Sequence, residues 1–287
     1  MFLAITMNGL AMGMVYALLA LGLILMIRAS GVLNMAQGDL LSIGAYITFY
    51  FGITKDMPLI PMLILSLLTF CAMAGVFLCA CYLPVKDNKW VQARMVCTLG
   101  FSYIIKDALT LTFGVRTSVV PPLVRGNIKV FGTPIQIQYL FIIGICLVIM
   151  LLVWLLFDKM YCGTIMQAAA QNAYSGRLIG IPVTLTILAT YMAVFCVAGL
   201  AGWLVVPTYF LTTNLATYQL RAFAGCVIGG LGDVRGAIIG SLLVGLIEGY
   251  STIFSSTYKD VILYSIVLLV LIIKPKGLFA SKQGVKV

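Results

Sequence analysis

The sequence predicts an all-α polytopic membrane protein with about 8–9 transmembrane helices, some of them broken or half-helices. Of its 287 residues, 62% are hydrophobic and only 9% are charged, whereas about 25% of the residues of a soluble domain are charged. Apolar runs of about 20 residues, long enough to cross the hydrocarbon core, recur along the chain. Short polar stretches separate these runs, so we expect a single transmembrane domain over residues 1–287.

Nine apolar segments are candidate spans, each near the length that crosses a bilayer. They cover residues 5–27, 33–53, 58–84, 95–114, 137–157, 182–206, 217–231, 237–256 and 258–273. The segment 217–231 is short and contains Arg221, so we expect a half-helix or a re-entrant segment there. The segment 33–53 begins with polar residues, which leaves the start of its helix open.

The basic residues predict the orientation of these spans. Most of the 18 Lys and Arg residues fall in loops on the same side as a polar segment at 160–181. The positive-inside rule places that side, and the C-terminus with it, in the cytoplasm. The N-terminus is then external, although the loss of one weak span would reverse it. Topology also accounts for the net charge of +10, so nucleic acid is not an expected partner.

Two segments that connect the spans differ from them in composition. The segment 160–181 is polar and rich in small residues, and good helix formers run from Thr164 to Ser175. We expect a short helix there, outside the bilayer, where it can dock a soluble partner. The stretch 115–136 contains several prolines and glycines, which predict an ordered external loop with a short hairpin.

Polar residues and glycines at or inside the spans are candidates for a solute pathway. Ionisable groups are costly there and need a partner or water, and unwound backbone is tolerated only if it is buried in protein or lines water. The amides near the start of the second span suit a zwitterionic or amide-bearing solute, and they suit helix capping equally well. The candidate pathway residues are Asn8, Asn34, Gln37, Gly38, Asp39, Gly229, Gly230 and Gly232. Glu248 lies in the middle of a span, and we expect it to form a structural pair with Arg221.

Several kinds of chemistry are not expected of this chain. It has no phosphate-binding loop of the G-x-x-x-x-G-K-[ST] type and no histidine, so neither that route to ATP hydrolysis nor a histidine-based catalytic centre is available. Its eight cysteines form no C-x-x-C pair. We therefore expect a chain that is not an enzyme and binds neither a metal nor a cofactor. If it moves a solute uphill, the energy comes from a partner.

In its motifs the chain resembles the branched-chain amino-acid ABC permease family, of the LivH type. The motifs that carry this resemblance are Asn8-Gly9-Leu10-Ala11, Gly31-Val32-Leu33-Asn34-Met35-Ala36-Gln37-Gly38-Asp39, Thr98-Leu99-Gly100, Gly180-Ile181, Gly229-Gly230-Leu231-Gly232 and Lys274-Pro275-Lys276-Gly277-Leu278-Phe279. They cover nearly the whole chain in order. One departure concerns Gln37, where the family commonly has histidine, and Asp39, where it commonly has glutamate. This departure leaves the identity of the transported solute open.

The resemblance implies an ATP-driven importer of branched-chain or related hydrophobic amino acids in a bacterial inner membrane. Its implied partners are a second, LivM-like permease, two cytoplasmic ABC ATPase subunits that use ATP and Mg, and an extracytoplasmic solute-binding protein. The resemblance also implies that the segment 160–181 contains the helix that couples to the ATPases. The implied coupling residues are Thr164, Gln167, Ala168, Ala169, Gln171, Asn172 and Ser175. The alternatives are import of urea or short amides by the same family, a stand-alone secondary carrier, and a structural or receptor-docking subunit.

Overall fold

Long apolar helices make up most of the protein. The structure, a computed structural model, describes residues 2–31, 33–55, 57–85, 91–115, 117–124, 126–130, 133–171, 173–178, 180–213, 215–275 and 277–279. Among these, six helical segments are long and apolar enough to cross a membrane: Phe2–Ser30, Leu59–Val85, Gln92–Phe113, Ile137–Phe157, Val183–Val205 and Val234–Phe254. The predicted all-α polytopic class is confirmed, and the exact number of crossings stays a prediction.

The helices follow the predicted apolar segments in order. Their bounds are α1 Phe2–Ser30, α2 Gln37–Ile47, α3 Leu59–Phe77, α4 Val91–Phe113, α5 Ile137–Trp154, α6 Tyr161–Gln171, α7 Ala173–Leu178, α8 Val183–Val205, α9 Thr217–Gly229, α10 Val234–Phe254 and α11 Lys259–Ile273. Three helices continue into π-helical turns, α2 over Thr48–Thr54, α3 over Leu78–Tyr82 and α5 over Leu155–Lys159, and a 3-10 turn, Leu83–Val85, follows the second of these. The predicted half-helix at 217–231 is α9, which has only 13 residues.

Glycines with positive φ end two of the long helices. Gly31 has a φ of 68° and Gly114 a φ of 76°. Their amides donate to the carbonyls of Ile27 and Thr110, both at 2.8 Å, and so satisfy acceptors that the helix ends leave open. This conformation needs glycine because a Cβ disfavours it.

The hairpin predicted within the segment 115–136 is present, and the external position of that segment stays a prediction. Strands β1, Asn127–Val130, and β2, Thr133–Gln136, pair in antiparallel register, with Asn127 opposite Gln136. A separate antiparallel bridge joins Ser118 to Leu211. The loop is therefore ordered by backbone hydrogen bonds, as its composition predicts.

The described residues group into two compact units, each made from segments that are distant in sequence. Unit 1 comprises Met1–Ile24, Val124–Cys146 and Tyr218–Val287, and unit 2 comprises Leu25–Leu123 and Leu147–Thr217. The single domain predicted over residues 1–287 stays a prediction.

Unit 1 is built around helices that approach each other at glycines. A Cβ added at Gly245 would overlap the backbone of Gly13, which brings α10 against α1. In the same way, Gly229 of α9 packs on the backbone of Gly236 at the start of α10, and Gly240 packs on that of Gly225. The glycine ladder in the sequence is therefore used for close helix packing.

Unit 2 has its closest packing between α2 and α8. A Cβ at Gly44 would overlap the backbone of Gly199, and one at Gly202 would overlap the carbonyl group of Leu41. Next to this contact, the ring of Phe77 makes edge contacts with Tyr191 and Phe195, at centroid distances of 5.4 and 5.3 Å. Small residues thus set the position of α2 on α8, and the aromatic contacts join α3 to α8. The N-terminal end of α2 carries candidate pathway residues.

We expect the variant Gly202→Ala to lower the stability of the protein by about 1–3 kcal/mol, because the added methyl group must displace backbone. Gly144→Ala is a matched control, since a Cβ there meets no described atom within 4 Å. Glycine inside a helix is less favourable than alanine, so we expect the control to be unchanged or slightly more stable. Thermal unfolding midpoints of the purified variants measure the difference. Equal midpoints for the two variants would contradict this account of the α2–α8 contact.

Candidate functional site

The polar residues before and inside the first turn of α2 are buried. Asn34, Gln37 and Asp39 are each 1% exposed or less. The Oδ1 atom of Asn34 accepts a hydrogen bond from the amide of Ala36, at 3.0 Å. Asn34 therefore orders the turn that leads into α2, although the N-cap residue itself is Ala36. Gly38 lies in the same first turn and is also buried.

One face of α4 contacts this segment through polar side chains. Arg94, Thr98 and Ser102 follow each other at intervals of four residues, which places them on one side of the helix. We name these three residues the α4 polar stripe. Arg94 Nη1 donates to the carbonyl of Ser30 at 3.2 Å, and Thr98 Oγ1 accepts from the amide of Met35 at 3.2 Å.

The last residue of the α4 polar stripe contacts the buried carboxylate. Ser102 Oγ donates to Asp39 Oδ2 at 2.5 Å, and Lys106, one turn further along α4, interacts electrostatically with Asp39. A buried carboxylate requires such partners. The sequence analysis named Thr98 only as part of a family motif, and it did not single out Arg94 or Ser102. The signal that reveals them is the spacing of four among polar residues in an otherwise apolar helix.

The predicted break between residues 229 and 233 is present in unit 1. Helix α9 ends at Gly229 and α10 begins at Val234. Gly230 and Gly232 have φ values of 111° and 106°, so the backbone there is unwound. Asp233 caps α10, because its Oδ1 accepts from the amide of Arg235 at 3.0 Å. Gly230 is buried and Gly232 is exposed.

A later stretch of the chain satisfies the carbonyls at the end of α9. The amide of Leu278 donates to Ile228 at 2.7 Å, and the amide of Phe279 donates to Gly229 at 3.1 Å. Gly277 permits this approach, because a Cβ there would lie 2.5 Å from the Cα of Gly230. The break is therefore well packed, and its place in a solute pathway stays a prediction.

Asn8, another predicted pathway residue, lies in the part of α1 that belongs to unit 1. Its side chain is partly buried, and its Oδ1 atom has no hydrogen-bond partner among the described residues. The candidate pathway residues are thus distributed between the units. Asn34 to Asp39 belong to unit 2, and Asn8 and the three glycines to unit 1.

Unit 1 contains a charged cluster around the buried side chains of Arg221 and Glu248, and we name it the unit 1 charge cluster. Arg221 Nη1 lies 3.0 Å from Glu248 Oε1, and Arg221 Nη2 lies 2.8 Å from Asp260 Oδ1. Lys259 Nζ lies 3.5 Å from the same glutamate oxygen. Tyr16 Oη donates to Glu248 Oε2 at 2.5 Å. The predicted pair of Arg221 and Glu248 is present, and it joins α9 to α10.

The segment 160–181 is helical, as predicted, and forms α6 and α7. Gln167 Nε2 donates to the carbonyl of Phe157 at 2.8 Å, and Gly163 packs on the carbonyls of Leu156 and Phe157. These contacts hold α6 against the end of the α5 segment. Thr164 and Ala168 are exposed. Ala169 and Gln171 lie in α6 and Ser175 lies in α7, and Asn172 falls outside the described residues.

The part of the chain that the structure describes contains no group of three or more His, Cys, Asp or Glu residues placed to hold a metal ion.

The sequence compares closely with one protein family. Residues 5–272 match the model of the family described as branched-chain amino acid transport system, permease component. The chain belongs to this family. The permease is therefore a multi-pass membrane protein of a transport family.

Relatives match the permease over nearly its full length. It is 27% identical to the high-affinity branched-chain amino acid transport system permease protein LivH of Escherichia coli K12, with 100% of this chain and 98% of the relative covered. It is 26% identical to the corresponding permease protein BraD of Pseudomonas aeruginosa, with 98% and 96% covered.

One solved structure shows the same fold. The chain matches a structure described as PsaBC from Streptococcus pneumoniae in complex with Fab, with a TM-score of 0.51 and 14% identity, over 94% of this chain and 91% of the other. At that identity the likeness concerns the fold alone.

Proposed function

We propose that this chain is the membrane-spanning permease subunit of an ATP-driven ABC importer for branched-chain or related hydrophobic amino acids. The observation that carries the proposal is the helical segment α6–α7, which stands between the spans α5 and α8 in a chain that belongs to the permease family. The chain has no phosphate-binding loop, so the energy for transport is supplied by separate subunits.

The proposed assembly contains this chain, a second LivM-like permease, two cytoplasmic ABC ATPase subunits and an extracytoplasmic solute-binding protein. It resides in a bacterial inner membrane, with the C-terminus of this chain in the cytoplasm. ATP and Mg act in the ATPase subunits. Their closure moves α6 and shifts the permeases between outward-open and inward-open states, each stabilised by different contacts.

Reconstitution tests this proposal. The complex of this chain with its partner subunits is placed in liposomes, and ATP hydrolysis and solute uptake are measured with leucine, isoleucine, valine and urea. We expect a binding protein loaded with a branched-chain amino acid to stimulate both activities, and omission of this chain to abolish both. Stimulation by urea alone would reassign the solute to short amides. Uptake by this chain alone, with no response to ATP, would establish a secondary carrier and refute the proposal.

A further inference from the structure

A cavity lies at the N-terminal end of the α4 polar stripe, entirely within unit 2. It comprises about 290 Å³ of atom-free space, part of which opens to solvent. Its polar lining includes Asn34, Arg94 and Thr98, and much of its remaining wall comes from Phe77, Tyr82 and Tyr191. Asn34 is a predicted pathway residue, and Arg94 and Thr98 belong to the α4 polar stripe, so both sets of residues line the same cavity.

Arg94 gives this cavity a positive charge. Among the described residues that line it, Arg94 alone is charged, and no described carboxylate forms an ion pair with it. Its guanidinium donates from Nη1 to the main-chain carbonyl of Ser30, and its buried Nε atom has no hydrogen-bond partner among the described residues. A neutral carbonyl is a weaker partner for a guanidinium than a carboxylate, which accepts two parallel hydrogen bonds.

The rest of the wall suits the other parts of an amino acid. Phe77 is 2% exposed and Met26 is 1% exposed, and both line the cavity with apolar surface. The rings of Tyr82 and Tyr191 meet edge to face, with centroids 6.1 Å apart. Tyrosine faces attract cations such as an ammonium group. A guanidinium, two tyrosine rings and an aliphatic wall are complementary to a zwitterion with an apolar side chain.

We propose that this cavity is a binding site in the permease for an aliphatic α-amino acid, whose carboxylate is held by Arg94. The inference rests on the proposed function and adds the site and the group on the solute that is recognised. On binding, the carboxylate replaces the Ser30 carbonyl as the partner of Arg94, and the aliphatic side chain lies against Phe77.

The structure shows this site closed. The space that the centre of a water molecule can occupy in the cavity is about 10 Å³, which is room for roughly one water molecule. The contact between Arg94 and Ser30 joins α4 to the end of α1 across it. Solute therefore enters only in a state in which these helices have separated, as alternating access requires.

Binding to the full-length chain in lipid nanodiscs, without the solute-binding protein, tests the site. The probe is radiolabelled leucine, and the competitors are isocaproate, which keeps the carboxylate and the apolar chain, and leucinol, which lacks the carboxylate. We expect saturable binding that isocaproate displaces and leucinol does not. Arg94→Gln should weaken binding by about tenfold or more, because it removes charge-assisted hydrogen bonds.

Two further variants keep the result interpretable. Arg94→Lys keeps the charge but loses the two-pronged geometry, so we expect weakened binding in a chain that still inserts. Arg28→Gln removes an exposed arginine at the end of α1, outside the cavity lining, and should bind within about twofold of wild type. Uptake by the complete complex is measured in parallel for each variant.

The outcomes separate this inference from the proposed function. If the wild-type complex takes up leucine while Arg94→Gln and Arg94→Lys bind leucine like wild type, the site is wrong and the importer stands. Displacement by leucinol as strong as that by isocaproate, or no saturable binding to the wild-type chain, also refutes the site. If the complex takes up no amino acid at all, the proposed function falls.

Discussion

Replacing Arg221 with alanine is expected to destabilise the permease by about 3–5 kcal/mol, because it leaves a buried carboxylate without its main partner. Arg221 is 6% exposed and Glu248 is 4% exposed. Among the residues that the structure describes, the partners left to Glu248 in the variant are Tyr16, through its hydrogen bond, and Lys259, through a longer contact at 3.5 Å. The thermal unfolding midpoint in detergent, or in nanodiscs, measures the loss.

Substitutions at the other members of the unit 1 charge cluster should lower the stability of the protein in a definite order. Glu248→Ala is expected to cost less than Arg221→Ala, since Arg221 keeps its ion pair with Asp260 at 2.8 Å. The Asp260 side chain is 53% exposed, so Asp260→Ala should cost at most about 1 kcal/mol. The double variant Arg221→Met/Glu248→Leu should recover much of the stability, because apolar residues replace a buried ion pair at little cost. A midpoint lowered more by Asp260→Ala than by Arg221→Ala would overturn this order.

Introducing arginine at Ala169 is expected to abolish solute uptake while the chain remains inserted in the membrane. Ala169 lies in α6, the helix to which we assign coupling, and a bulky charge would enter a closely packed interface with an ATPase subunit. Uptake by the reconstituted complex is the primary measurement. ATP hydrolysis shows whether the ATPase subunits still respond to the loaded binding protein.

Two control variants accompany the Ala169→Arg substitution. Ala169→Ser changes the same position by one hydroxyl group and should retain uptake. Ser256→Arg places the same charge in the exposed turn between α10 and α11, where it should be tolerated. Normal uptake by Ala169→Arg would remove α6 from the coupling role and favour a carrier that works without ATPase subunits.

The sequence was sufficient for those elements whose signal is local. Long apolar runs predict the helices in order, and the prolines and glycines of 115–136 predict the loop that contains β1 and β2. The pair of Arg221 and Glu248 was also predictable, because two opposite charges in apolar surroundings require partners and few others were available.

Other features depend on which helices meet, and that information is not local. Gly44, Gly199 and Gly202 are isolated glycines in apolar helices, and only the packing of α2 on α8 shows why they are small. The contacts of the α4 polar stripe could not be predicted from the sequence for the same reason. Its spacing marks one face of a helix, but the contact of Ser102 with Asp39 depends on the tertiary arrangement of unit 2. The π-helical ends of α2, α3 and α5 likewise left no distinct sequence signal.

Unit 1 includes segments near both ends of the chain, and this affects the order in which the two units fold during synthesis. All segments of unit 2 lie between residues 25 and 217, so they are synthesised before most of α9 and all of α10. Unit 1 needs α1, made first, together with α9, α10 and the amides of Leu278 and Phe279 that complete the end of α9. Contacts this distant in sequence form slowly because a long loop must close. Until that loop closes, Glu248 and Arg221 lack the contacts that Tyr16 makes with both of them, at 2.5 and 3.3 Å, so we expect unit 1 to be the last part of the permease to reach its final packing.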